Sequence, residues 1–279
     1  MSVWKAIFLG IVQGVAEFLP ISSSGHLSIA QNLLLSAESV ANDNLFFDVL
    51  LHLGTLLAIF VAYWEDVKGM VTEFFGGVKD LARHTTPTPI PPARRLVMLV
   101  VLGTLPLVVI LPIKDKVEAL YSNTWFVGGA LIVTGFLLFA ADRFSKGKRT
   151  EKTARIRDVL LVGCAQAIAT VPGISRSGMT ITAGCFCGFD RKFAVRYSFL
   201  MSIPAVLGAN LLTLIDAARA GIDWSLMPIY LVGVAVAAVS GYLSICLLRF
   251  VVNKGKFGSF AYYCWGVGVL TLILTAVRG

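Results

Sequence analysis

EFLPISSSGH, residues 17–26, sets one carboxylate, a run of three hydroxyls and an imidazole between apolar flanks. Pro20 and the Ser-Gly run stop a helix at this point. The apolar stretch 3–36 is thereby cut into two halves, each too short to cross a bilayer alone. A helix–loop–helix that enters and returns on one side is the economical reading, because irregular backbone at membrane depth must face protein or a wet cavity. The stretch 159–188 is built the same way, broken at VPGISRSG, residues 171–178. LGIVQGVAEFLPISSSG (9–25) aligns with VGCAQAIATVPGISRSG (162–178) at a constant offset of 153. Gly10, Gln13, Ala16, Ile21, Ser22, Ser24 and Gly25 match Gly163, Gln166, Ala169, Ile174, Ser175, Ser177 and Gly178. Seven matches that include the polar positions indicate an internal repeat. Paired broken segments in two halves point to a site at the repeat interface, near mid-membrane.

The rest of the chain agrees. It has 279 residues, 57% hydrophobic and 14% charged, where soluble domains carry about 25% charged residues. Mean hydropathy is +0.80. Further apolar runs occupy 45–64, 96–113, 124–141, 193–215, 226–251 and 258–277, each long enough to span. The expected fold is all-α and polytopic: six transmembrane helices plus two re-entrant segments. One integral membrane domain (1–279) would hold inverted repeats at about 1–141 and 159–279, joined by the basic loop 142–158. The first stretch has no small-residue cleavage site and carries Gln13 and Glu17, so no cleavable signal is expected. The five cysteines form no CxxC pair and read as small buried hydrophobes.

Charge tests this topology. If the broken segments re-enter and the long ones span, loops 65–95, 142–158, 189–196 and 249–256 share one side and hold 18 Lys and Arg. The opposite loops and tail hold Lys114, Lys116, Arg219 and Arg278. The rich side is then cytoplasmic, with both termini outside. The net charge of +8 therefore reads as orientation and attraction to anionic lipid, not as nucleic-acid binding.

Gln13 and Glu17, four apart, share a helix face. An ionisable group in a membrane segment is costly and faces a cavity or a partner. Glu17 suits a divalent-metal ligand, with Gln13, or an acid/base group. Ser22, Ser23, Ser24 and Gly25 suit helix capping or the binding of an anion. His26, beside these hydroxyls, suits a base or nucleophile, or a packed histidine. Arg176, between Ser175 and Ser177 and ahead of Gly178, offers a fork that matches phosphate, or a salt bridge to Glu17; the two are compatible. Asp48 and His52 would support the site from behind or bond between helices, and Gln166 is the repeat counterpart of Gln13. Arginine, hydroxyls, helix N-termini and a divalent ion are what a transferring phosphoryl group needs. A site inside lipid that opens to water suits a phosphate head on a long apolar tail.

QGVAEFLPISSSGH, PGISRSG and FFDVLLHLGTLLA resemble the signatures of the bacterial undecaprenyl-pyrophosphate phosphatases, also called bacitracin-resistance proteins, and the similarity runs over essentially the whole chain. The resemblance implies hydrolysis of undecaprenyl diphosphate at the outer face of the bacterial inner membrane, recycling the lipid carrier of peptidoglycan and conferring bacitracin resistance. It implies a divalent cation, Mg²⁺ or Ca²⁺. It assigns Gln13 and Glu17 to the acidic motif, Ser23 and His26 to the hydroxyl and histidine positions, and Arg176 to phosphate. Gln13 departs from the glutamate that many members carry, which shifts the acidic role to Glu17. Ser23, His26 and water all remain as nucleophiles. A homodimer is compatible with the sequence. The rival function is a polyprenyl-phosphate flippase or transporter without hydrolysis, which the inverted repeat also suits; a channel is a weaker third.

Overall fold

The computed structural model describes residues 1–29, 44–85, 89–220 and 222–278, and the counts below refer to these. Residues 30–36 of the first broken stretch lie outside them. The described chain is all-helical: α1 (Val3–Phe18), α2 (Ser23–Ile29), α3 (Asn44–Ala62), α4 (Trp64–Ala82), α5 (Pro92–Thr104), α6 (Lys114–Glu118), α7 (Thr124–Phe144), α8 (Ile156–Ile168), α9 (Arg176–Phe186), α10 (Arg191–Ala220), α11 (Met227–Asn253) and α12 (Ser259–Arg278). Five helical stretches are long and apolar enough to cross a membrane, and a sixth counts if the bent pair α3 and α4 is taken as one span.

Both expected breaks form where their residues demand them. Leu19, ahead of Pro20, is extended (ψ 141°) and ends α1, as the ring of a following proline requires. Gly173 ends the other break at φ 88°, and a Cβ there would sit 2.6 Å from the carbonyl oxygen of Val127. Each second helix starts on a serine–amide bond of the same kind. Gly25 N–H donates to Ser22 Oγ (3.1 Å), and Gly178 N–H donates to Ser175 Oγ (3.1 Å). The repeated serine is therefore a cap in both copies.

Two expectations change. The segment 65–95, read as a loop, holds α4, turned 93° from α3 and showing Trp64, Val71, Phe74, Phe75, Val78 and Leu81 on its surface. Its alternation of charged and apolar residues keeps the 3.6 period of an amphipathic helix, a signal masked by its charge content. The run 96–113, read as one span, is α-helical only to Thr104 and continues as a 3-10 helix over Leu105–Ile113. Pro106 and Pro112 lack the N–H that an α-helix would use, so the chain tightens there.

Packing sets helix directions. Gly10 of α1 lies on Gly233 and Val236 of α11, and Gly14 lies on Ala237, Ser240 and Gly241. Gly54 of α3 also lies on Val234 and Ala237. Positions rise together, so α1, α3 and α11 run parallel, with small residues letting the backbones approach. In the same way Arg95 of α5 donates to the carbonyls of Glu151 and Ala154, while Gly163 of α8 meets Gly103. Thus α5 and α8 run parallel. Thr124 of α7 bonds Thr275 of α12 while Gly135 meets Trp265, an antiparallel pair.

The basic segments gather at one end. Arg196 forks onto Asp66, and Arg191 bonds Asp142. Arg249 donates to the Ala62 carbonyl and lies 4.0 Å over the Tyr63 ring. Arg149 bonds both Asp158, in the first turn of α8, and the carbonyl of Cys187, just past α9. One arginine thereby closes the α8–α9 hairpin. At the other end Ser28 of α2 reaches the carbonyl of Tyr121.

Candidate active site

The two broken loops meet. A Cβ on Gly25 would lie 3.1 Å from the Cα of Gly173, and Ser177 Oγ donates across the junction to the Leu19 carbonyl (3.3 Å). Thr134 of α7 anchors the second loop. Its hydroxyl donates to the Gly173 carbonyl (3.2 Å) and accepts from Ser175 N–H (3.3 Å). Sequence reasoning had no signal for Thr134, an unremarkable residue in an apolar span.

Glu17 is the centre of the junction. It lies in the last turn of α1 and is 7% exposed. Its Oε2 accepts from Ser23 Oγ (2.8 Å) and from Gln13 Nε2 (3.1 Å). Its Oε1 accepts from Nη2 of Arg176, the first residue of α9. Helical spacing delivers Gln13, the tight turn at Pro20 delivers Ser23, and the second loop delivers Arg176 from 159 residues away. The salt bridge and the hydroxyl thus share one carboxylate, and the Ser23–Glu17 bond has the geometry of a base beside a nucleophile. Ser22 sits at φ 73°, a left-handed conformation rare for serine, and this turns the chain sharply enough to bring Ser23 back over Glu17.

Ser175 and Ser177 bond each other at 3.3 Å, as Ser22 and Ser24 do at 3.2 Å. Ser22, Ser175 and Ser177 therefore spend their hydroxyls on the loops, while Ser23 spends its own on Glu17. Ser175 takes the Gly178 amide as cap, which leaves the Arg176 and Ser177 amides of this helix start for an anion.

His26 is held by a carbonyl and by another helix. Among the described residues it bonds no serine hydroxyl: Nδ1 faces the Ser22 carbonyl (2.8 Å) and Nε2 faces the hydroxyl of Tyr263 (2.9 Å). Because α2 starts at Ser23, His26 falls almost one turn on and folds back onto its own cap. Tyr263 lies on α12 and no local pattern announces it. Asp48 and His52 sit on α3, where His52 Nδ1 bonds the Asp48 carbonyl (2.8 Å). No hydrogen bond among the described residues links either side chain to Glu17, Ser23, His26 or Arg176. Gln166 is buried with neither amide atom bonded, so it does not copy the Gln13–Glu17 pair. Its partner position at the repeat offset is Thr170, whose hydroxyl bonds the Ala167 carbonyl instead.

A small cavity beside the ion pair is lined by Glu17, Arg176, Ser177, Ser198 and Ser202 between Phe18 and Phe199. Ser198 and Ser202 come from α10 and were not anticipated. Ser198 bonds Thr180 at 2.6 Å, tying α10 to α9 behind Arg176.

A divalent cation can be tested against these atoms. No group of three or more His, Cys, Asp or Glu able to hold a metal occurs among the described residues. Gln13 Oε1 is buried and without a hydrogen-bond partner, one helical turn from the Glu17 carboxylate. One carboxylate and one unengaged amide oxygen fit a hard cation that takes its remaining ligands from water and phosphate.

Comparison with known proteins identifies the family. The family model described as bacitracin resistance protein BacA matches residues 6–270. A protein of Halothermothrix orenii named undecaprenyl-diphosphatase is 40% identical over 278 residues, covering 99% of this chain and 100% of its own. Proteins of the same name from Methanosphaera stadtmanae and Alkaliphilus metalliredigens are each 39% identical, covering 99% of both chains. A full-length match that contains both broken loops, Glu17 and Arg176 leaves one assignment: the chain belongs to the bacitracin resistance protein BacA family.

Proposed function

We propose that this membrane protein hydrolyses undecaprenyl diphosphate to undecaprenyl phosphate and inorganic phosphate. The observation that carries the reading is the Glu17 carboxylate held between Ser23 and Arg176. Arg176 exchanges Glu17 for the diphosphate, and its fork neutralises the charge that builds on the transferring group. Glu17, released from the ion pair, takes the proton of Ser23, whose oxygen attacks the terminal phosphorus. Undecaprenyl phosphate leaves, and water then frees phosphate from the serine. The amides of Arg176 and Ser177 at the start of α9 would serve the same phosphate. Gln13 Oε1 and Glu17 would hold Mg²⁺ or Ca²⁺, which supplies positive charge for the diphosphate oxygens. This reading gives the hydroxyl attack to Ser23 because Glu17, not His26, is bonded to it.

Further parts of the reading follow from charge and packing. The end that gathers the basic segments is cytoplasmic. Then α1 and α2 dip into the membrane from the periplasmic side, α8 and α9 from the cytoplasmic side, and the two hairpins are inverted copies. Both termini are periplasmic, and the site draws its lipid from the periplasmic leaflet. Recycling the carrier there lowers the pool of diphosphate available to bacitracin and so confers resistance.

The test is phosphate release from a prenyl diphosphate in detergent, with Mg²⁺ or Ca²⁺ and with chelator. Wild type is expected to release phosphate only with cation, and Glu17→Ala and Arg176→Ala to lose the activity. Absence of release by wild type overturns the reading. Movement of labelled lipid phosphate across reconstituted vesicles without release favours the transporter that an inverted pair of hairpins also suits.

A further inference from the structure

The hydrolysis proposed above leaves His26 without an assigned contact to Ser23 or Glu17, and what it touches instead is specific. Nδ1 lies 2.8 Å from the Ser22 carbonyl oxygen. A carbonyl only accepts, so Nδ1 carries the proton of the neutral ring and Nε2 holds the lone pair. The Tyr263 hydroxyl, 2.9 Å from Nε2, must then donate to it. The two rings also stack, with centroids 5.7 Å apart and planes 13° apart. Among the described residues of the first broken segment, the serine hydroxyls are engaged elsewhere: Ser22 and Ser24 bond each other, and Ser23 bonds Glu17.

Tyr263 is held in place independently of His26. Its neighbour Cys264 is buried and bonds the Pro20 carbonyl through its thiol (3.5 Å). Trp265 packs on Gly135 of α7. Residues 263–265 of α12 thus straddle the first broken loop and brace it against the bundle.

We propose that Tyr263 is a positioning residue for the phosphatase reaction: its hydroxyl and ring aim the Nε2 lone pair of His26. The phenol suits both states of the imidazole. It donates to Nε2 when the ring is neutral and, by turning its O–H, accepts from Nε2–H when the ring has taken a proton. Nδ1 stays on the Ser22 carbonyl throughout, so a proton that the ring takes from water, and later returns to water, is exchanged at Nε2 alone and the ring does not rotate. This inference rests on the phosphatase reading for the role of His26, but the pair itself is a separate claim.

Two measurements on Tyr263→Phe, which keeps the ring and removes only the hydroxyl, test it. In the phosphate-release assay kcat is expected to fall about 5- to 30-fold, the worth of one hydrogen bond, with KM within about twofold. Carbethoxylation of His26 by diethyl pyrocarbonate, read by peptide mass, is expected to speed up about 3-fold or more because the hydroxyl no longer covers Nε2. His84, exposed on the turn after α4, is the internal reference and should keep its rate. An unchanged His26 rate overturns the pair, whatever the catalytic result. A kcat within about twofold of wild type, or a loss confined to KM, overturns the positioning role. Wild type that releases no phosphate overturns the phosphatase reading and with it the catalytic role, while the carbethoxylation still decides the pair.

Discussion

Glu17 receives donors from Gln13, Ser23 and Arg176, and each makes a different prediction. Glu17→Gln removes the base and strands the Arg176 charge. It should lower kcat/KM by about 10²-fold or more, and it should also lower stability, because the Glu17 end of the pair is buried and Arg176 is only part-exposed. Arg176→Lys tests the fork rather than the charge. Because an ammonium cannot bind phosphate in two places, we expect loss comparable to Arg176→Ala in phosphate-release assays. Gln13→Glu tests the cation. The substitution exchanges a donor for a second carboxylate one turn from Glu17, so the chain without metal should unfold at lower temperature. The concentration of Mg²⁺ giving half-maximal activity should fall; an unchanged cation response would remove Gln13 from the cation's surroundings.

The elements around the site depend on close approach and on caps. Gly14 gives α1 its seat on α11: a Cβ there would stand 2.1 Å from Ser240 Oγ and 2.6 Å from the Ala237 carbonyl. Gly14→Leu should force the helices apart, costing about 1–3 kcal/mol or more and lowering the melting temperature in detergent. Since α1 carries Glu17, activity should fall with it. Ser175→Ala removes the cap of α9 and should cost about 1 kcal/mol, with a modest loss of activity because Arg176 is the first residue of that helix. The 3-10 stretch over 105–113 and the helix α4 are what run length and charge content did not reveal. Two prolines act on the backbone in one case. In the other, partners distant in sequence hold the corner, since Arg196 of α10 clasps Asp66 and Arg249 of α11 sits on Tyr63.

At the scale of the molecule, direction in the membrane is the open physical variable. The basic segments share one end through Arg149, Arg191, Arg196 and Arg249, so a single orientation serves all of them. In a variant without native cysteines, Lys148→Cys should react with an impermeant maleimide only from the cytoplasmic side, and Lys116→Cys only from the periplasmic side. Reversed labelling would invert the proposed orientation and put the site's opening on the other leaflet. Much of this architecture was legible beforehand. Composition dictates a polytopic bundle because so apolar a chain cannot remain in water, and Pro, Gly and Ser dictate the breaks because they act on the backbone within a few residues. Glu17, Ser23 and Arg176 were legible for the same energetic reason: charge and hydroxyls are expensive in lipid unless they serve one another. Only the tertiary structure decided which group each one serves. Ser23 pairs with Glu17, His26 with Tyr263 on the last helix, and the second loop hangs on Thr134. Those pairings depend on distances between segments up to 237 residues apart, which helix packing sets and no local pattern encodes.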